Sequence, residues 1–258
     1  MLTVAMSVWA RGIMTKRQTF RKILMLASFS VFPITIVYLA PAPPVMSLKA
    51  GVINLSVVTI FTIFLSGFFV RRAFCGWLCP GGGCQLVAQA LNNDRLRHQK
   101  TNWIRVFMVL VWVVIMIAVI MLAGRWPVLD LGHPGAGKFA ASPVRYFLPY
   151  IPTVIFIFLF VLLFGRRGFC QKGCWIYPIV AFSSKIGALL HTPSLHVTVE
   201  NRDRCSYCKL CTVICPMSID VCVHVQTKAR LPNNCIQCGL CVDTCPKRVL
   251  AFSLGIEQ

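Results

Sequence analysis

Eight cysteines in the last quarter of the chain narrow its choice of fold more than any other feature. Cys205, Cys208, Cys211, Cys215 and Pro216, then Cys235, Cys238, Cys241, Cys245 and Pro246, are two copies of C-x2-C-x2-C-x3-C-P displaced by 30 residues. A [4Fe-4S] cubane needs four thiolates around its corners. Three come from one tight loop, and the fourth, turned away by the proline after it, serves the other cluster. The spacing assigns Cys205, Cys208, Cys211 and Cys245 to one centre, and Cys235, Cys238, Cys241 and Cys215 to the other. Zinc favours two separated C-x2-C pairs and has no use for the x3 cysteine with its proline. Short apolar runs at 195–199, 219–225 and 249–254 fit strands, so residues 195–258 read as an α+β ferredoxin domain with two [4Fe-4S] clusters. Cys222 fits no ligand register and reads as a buried free thiol.

The rest of the chain is too apolar for a soluble domain: 57% of all residues are hydrophobic and 13% charged, with a mean hydropathy of +0.73. It reads as an α-helical membrane protein. Runs long enough to cross a hydrocarbon core lie at 23–39, 52–70, 106–123 and 147–164, and in lipid such runs must be helices. Pro33 predicts a kink in the first, and Pro149 and Pro152 fit the opening turns of the fourth. The first run superficially resembles a cleavable signal, but prolines at 41, 43 and 44 and the three later runs favour a retained anchor.

Basic residues give the orientation. Arg11, Lys16, Arg17, Arg21 and Lys22 precede the first span; Arg71, Arg72, Arg95, Arg97, Lys100 and Arg105 separate the second and third; Arg166, Arg167, Lys172 and Lys185 follow the fourth. The opposite loops hold few, so both termini are expected in the cytoplasm. The same asymmetry accounts for much of the formal +19 charge without nucleic acid. Three parts result: a basic cytoplasmic tail at 1–22, a four-helix membrane domain at 23–190 and the ferredoxin domain at 195–258.

The ends of the second and fourth spans repeat each other. Arg71-Arg72-Ala73-Phe74-Cys75, three residues and Cys79 match Arg166-Arg167-Gly168-Phe169-Cys170, three residues and Cys174 in identical register. Two copies of a two-helix unit entering from one side predict a 2+2 parallel repeat about an axis along the membrane normal. The stretches 86–91 and 176–190 after the motifs are expected to lie as interfacial helices.

Four spans, an R-R-x-F-C-x3-C motif after the second and the fourth, and a C-terminal two-cluster ferredoxin resemble the NapH and MauN type of membrane ferredoxin proteins. The membrane portion of NosR and the CcoG-type polyferredoxins are similar. Cys75-Gly76-Trp77-Leu78-Cys79-Pro80 matches the C-x3-C-P of that family, whereas Cys170-Gln171-Lys172-Gly173-Cys174-Trp175 lacks the proline. The resemblance implies a bacterial inner-membrane electron-transfer subunit. It would link the quinone pool or cytoplasmic electrons to a periplasmic redox system, with membrane lipid, quinol and a ferredoxin- or cytochrome c-type protein as partners. The alternative is a maturation factor that reduces metal or thiols for a periplasmic oxidoreductase.

Cys75, Cys79, Cys170 and Cys174 can converge on one metal or cluster, form two dithiol pairs, or be packed free thiols. Beside Arg71, Arg72, Arg166 and Arg167 their thiolates are expected to be favoured. Cys84 has no counterpart in the second copy. For proton transfer from a quinol the candidates are Asp130 with His133 in the outward loop, and His98 in the cytoplasmic loop. Thr59, Thr62 and Ser66 share one face of the second span, where small polar side chains suit helix packing. No C-x-x-C-H, P-loop or dinucleotide fingerprint is present.

Overall fold

The computed structural model describes residues 15–96, 102–124, 127–130, 143–227 and 229–255. The first helices are α1 (Lys16–Ser30), α2 (Phe32–Leu39) and α3 (Ala42–Lys49). The expected first span is not one rod, because α1 and α2 meet at an 80° bend. Pro33 is the reason: it has no N–H for a helix interior but fits the first turn of a new helix, which is where it sits in α2.

Strand β1 (Val52–Ile53) leads into α4 (Leu55–Val70), whose first turn is capped by the Asn54 side chain accepting from the Val57 N–H at 3.3 Å. The motif loops follow as α5 (Ala73–Trp77) and α6 (Pro80–Ala88). Next come α7 (Asn102–Ala123), β2 (Val128–Leu129), α8 (Pro143–Phe164), α9 (Gly168–Lys172) and α10 (Ile176–Leu189). β1 and β2 pair in parallel, Val52 with Val128 and Ile53 with Leu129, so the two loops expected to face outward are joined. Because α8 starts at Pro143, Pro149 and Pro152 fall in its second and third turns instead of its first.

Among the described residues one helix, Arg105–Ala123 within α7, is long and apolar enough to cross a membrane, or two if the bent α1–α2 pair is a single span. The expected second span is a shorter apolar helix, Leu55–Val70, whereas the expected fourth lies within the 22 residues of α8. At 1.5 Å per residue, the 16 residues of α4 cover about 24 Å of a core about 30 Å thick. β1 has drawn in the residues that would have lengthened it.

The helices after each motif pack against the other copy of the repeat. α6 packs across onto α8 of the other copy and onto α1, and α10 packs onto α4. Most of α6 and the inner face of α10 are buried. Small residues allow the approach: a Cβ at Gly67 of α4 would overlap the Ser183 hydroxyl of α10.

The C-terminal domain closes on an antiparallel pair, β3 (Ser194–Val199) and β4 (Leu250–Gly255), in register from Ser194 opposite Gly255 to Val199 opposite Leu250. Between them lie α11 (Leu210–Ile214), α12 (Val221–Thr227) and α13 (Leu240–Thr244). The apolar run expected as a strand at 219–225 is mostly α12. Its buried residues, Val221, Cys222 and Val225, fall at helical spacing and form one face.

Candidate iron–sulfur sites

Each C-x2-C-x2-C loop ends in a short helix, and the last cysteine follows that helix with an extended backbone, φ −62° at Cys215 and −73° at Cys245. The turn carries each across to the opposite loop. Cys205, Cys208, Cys211 and Cys245 line one cavity, and Cys222 lines it too. Cys215 lies within electrostatic range of Cys238, and Cys241 within range of Cys235, Cys238 and Cys215.

Burial, with neighbouring sulfurs adding to it, pushes the thiols of Cys211 and Cys215 up to about 11 and that of Cys235 up to about 12, from 9.0. A thiol raised in this way stabilises the fold below its ordinary pKa and loses that contribution as pH rises through the raised one. Chains stripped of iron are therefore expected to lose stability between about pH 9 and about pH 12. Iron-loaded chains, whose ligand sulfurs have no proton to give up, keep theirs. Thermal unfolding across that range checks this, and a flat profile for the iron-free chain contradicts it.

The two C-x3-C loops also meet. Cys79 lies within electrostatic range of Cys75, Cys170 and Cys174, and Cys174 within range of Cys170 and Cys75. Gln85 ties the copies together: its Nε2 donates to Cys170 Sγ at 3.0 Å and its Oε1 accepts from the Cys170 N–H at 3.2 Å. Cys79 and Cys174 accept the N–H groups of Gly82 and Tyr177 in turn. Each stands beside the N-terminus of a helix, α6 or α10, whose dipole favours negative charge.

The arginines favour the thiolates, as expected, but burial outweighs them. Desolvation dominates, raising Cys75, lifting Cys79 well above its ordinary value and pushing Cys174 up to about 12. Arg72 and Arg167 only partly oppose this at Cys75. These arginines are themselves 2% and 1% exposed, and the buried Nε of each has no hydrogen-bond partner among the described residues.

Arg72 donates to the carbonyls of Asn233 and Asn234 and lies 4.3 Å over the Tyr177 ring, with Arg105 3.9 Å over the same ring. Arg167 donates to the Cys75 carbonyl at 3.4 Å. Neither Arg72 nor Arg167 meets a carboxylate among the described residues. Buried cations of this kind call for a buried anion. Four thiolates around an iron–sulfur core fit that demand, and four neutral thiols do not. Among the described residues no three Cys, His, Asp or Glu side chains stand close enough to hold a single metal ion.

The motif loops and the ferredoxin loops touch. Cys75 belongs to the same buried core as Cys215, Cys238, Cys241 and Ile236. Trp77 Nε1 donates to the Gln237 carbonyl at 3.0 Å, and Arg166 Nη1 to the Val213 carbonyl at 2.8 Å. From α1, Gln18 donates to the Cys238 carbonyl at 3.0 Å, Arg17 pairs with Asp243, and Arg21 donates to the Gly76 carbonyl at 3.2 Å. Sequence reasoning passed over Gln18, Trp77 and Gln85, and took the arginines as orientation signals and as a positive field on the motif thiols, not as buried cations. The signal for Gln85 was a polar residue directly after Pro80-Gly81-Gly82-Gly83-Cys84.

Other candidates lie elsewhere. Asp130 is at the β1–β2 pair, where its N–H donates to the Ile53 carbonyl at 3.1 Å, a full length of α4 from the motif cysteines. His133 and His98 are outside the described residues, as is the tail up to residue 14. Thr59, Thr62 and Ser66 donate to carbonyls of their own helix at 2.7–2.8 Å. Cys84 is fully buried with Phe32, Ile36 and Ile157, apart from the four motif cysteines.

Two family models match, a 4Fe-4S dicluster domain over residues 204–250 and a 4Fe-4S binding domain over 53–95 and 147–193. The second takes in both C-x3-C motifs. Among curated proteins, the ferredoxin-type protein NapH of Haemophilus influenzae is 27% identical over 80% of this chain and 69% of its own length. NapH of Escherichia coli is 24% identical over 87% and 76%. The methylamine utilization ferredoxin-type protein MauN of Methylobacillus flagellatus is 25% identical over 88% and 78%. No solved structure matches. The chain is a distant homologue of the NapH and MauN ferredoxin-type proteins, an iron–sulfur electron-transport protein with 4Fe-4S binding domains.

Proposed function

We propose that this chain is a membrane-bound iron–sulfur subunit that carries electrons between the quinone pool, or cytoplasmic donors, and a periplasmic redox system. In this reading Cys205, Cys208, Cys211 and Cys245 hold one [4Fe-4S] cluster and Cys235, Cys238, Cys241 and Cys215 a second. Cys75, Cys79, Cys170 and Cys174 hold a third. When bound, the clusters supply one-electron carriers.

The observation that carries the reading is the shared core of Cys75 with Cys215, Cys238 and Cys241, which makes the motif loops and the ferredoxin loops one continuous body. The apolar face that α7 leaves uncovered supports a membrane domain, since no residue of its 18-residue apolar window is buried. The crosswise packing of α6 on α8 and α10 on α4 supports four membrane segments in a 2+2 parallel repeat. The arginines of the motif loops favour a cytoplasmic ferredoxin domain.

A quinone has a suitable place. A cavity of about 570 Å³ between the α2–α3 bend and α8 is walled by Phe32, Phe156, Phe169 and Trp175, with Cys79 and Cys174 at one side and Thr153 in α8. Its size and aromatic lining suit a flat apolar ligand. Thr153→Phe, which fills the cavity, is expected to slow quinol-driven reduction of the purified protein about tenfold, near 1.4 kcal/mol of barrier, and to leave dithionite reduction unchanged. Quinol kinetics untouched by the substitution would contradict this site.

A further inference from the structure

The cavity that gathers Cys205, Cys208, Cys211 and Cys245 is lined by a fifth sulfur, Cys222, which the motif does not use. Cys222 is 5% exposed and sits in the first turn of α12. Its position is fixed from several sides. Its N–H donates to Thr212 Oγ1 at 2.9 Å, and that hydroxyl donates to Asp220 Oδ1 at 2.9 Å. Thr212 is the residue after Cys211, so the bond ties the fifth cysteine to the loop of a motif cysteine. One turn along α12, Gln226 Nε2 donates to Cys205 Sγ at 3.4 Å. Residues four apart share a helix face, so α12 turns both Cys222 and Gln226 toward this cysteine set. Val221 and Val225 lock the helix into the domain core.

Among the described residues the other cysteine set has no unassigned sulfur beside it, since Cys75, which shares its buried core, belongs to the motif group. Thirty residues on, the position corresponding to Cys222 is Phe252, and the chain there is strand β4 instead of a helix.

We propose that Cys222 is a reserve iron ligand for the centre of Cys205, Cys208, Cys211 and Cys245, taking the place of a missing thiolate, first of all Cys211. The inference rests on the reading that these four cysteines hold a cluster. The exchange is balanced: one iron–sulfur bond replaces another, and the Cys222 thiol gives its proton to water. A soft thiolate is the ligand type that iron–sulfur centres accept. The consequence is that this centre tolerates the loss of a ligand, whereas its neighbour does not.

The test uses the full chain and reads iron, acid-labile sulfide and the electron paramagnetic resonance spectrum of the reduced protein. Cys211→Ala is expected to keep the iron content of the unsubstituted protein, with a shifted spectrum from the changed ligand. Adding Cys222→Ala is expected to remove about four irons. Cys241→Ala, in the set without a reserve, is expected to lose about four irons alone. If Cys211→Ala alone loses as much iron as the double variant, the proposal is overturned. Cys208→Ala, at an exposed position, is the second probe should Cys211→Ala misfold. Loss of the same iron there, with or without Cys222, overturns it as well. An unsubstituted protein lacking iron at this set would fail the underlying reading, an outcome distinct from either result.

Discussion

Serine at both Cys79 and Cys174 is expected to slow quinol-driven reduction of the ferredoxin clusters at least about 100-fold, roughly 2.7 kcal/mol of barrier, while dithionite reduces them as before. The two cysteines come from different copies of the repeat and both line the apolar cavity. Through Cys75 the same group of sulfurs borders Cys215, Cys238 and Cys241. Removing two of the four thiolates takes away the stepping point between the cavity and the ferredoxin loops. Stopped-flow absorbance with a soluble quinol checks the rate. A rate within twofold of the unsubstituted protein would mean that electrons bypass the motif. Preserved reduction together with failed assembly of a periplasmic oxidoreductase would instead favour the maturation reading.

Gly76→Val is expected to destabilise the protein by about 3 kcal/mol, because a side chain there is forced into backbone and not into a movable side chain. A Cβ at Gly76 would overlap the Ile236 carbonyl oxygen, and the next shell is the rest of the same residue. At this chain length the loss corresponds to a fall of roughly 6–12 °C in the unfolding temperature. Gly255→Ala, where a Cβ meets nothing within 4 Å, is the control and should change little. The Gly76 variant is also expected to expose Trp77 to protease and quenchers, since its bond to the Gln237 carbonyl depends on the same contact. Equal stability of the two variants would show that the motif loop and the ferredoxin loop are not docked as described.

The cysteine sites were largely legible in the sequence because ligand chemistry fixes spacing. Cys245 reaches the cavity of Cys205, Cys208 and Cys211 as the x3-C-P rule predicts. The repeated register brought Cys75, Cys79, Cys170 and Cys174 together without telling a shared centre from dithiol pairs or packed thiols. Shape was harder to read. Val221 to Val225 has the β-branched composition of a strand, yet its buried positions follow a helical period. Pro33 announced a kink, but not a bend of 80°.

The arginines were the least legible. The repeated register put Arg72 and Arg167 beside the motif cysteines, but nothing in it told that both would be buried, at 2% and 1% exposed. Nor did polarity point to the cavity: Asp130 drew attention as an acid, whereas the space beside Cys79 and Cys174 is walled by aromatic rings from α2, α8 and the second motif.

The central claim is that the motif cysteines hold a cluster of their own beside the two in the ferredoxin domain. Iron and acid-labile sulfide per chain, determined on anaerobically purified full-length protein, test it most directly. Three [4Fe-4S] centres predict about twelve of each, falling to about eight in the Cys79→Ser, Cys174→Ser variant. About eight in the unsubstituted protein, unchanged by that substitution, would contradict the account.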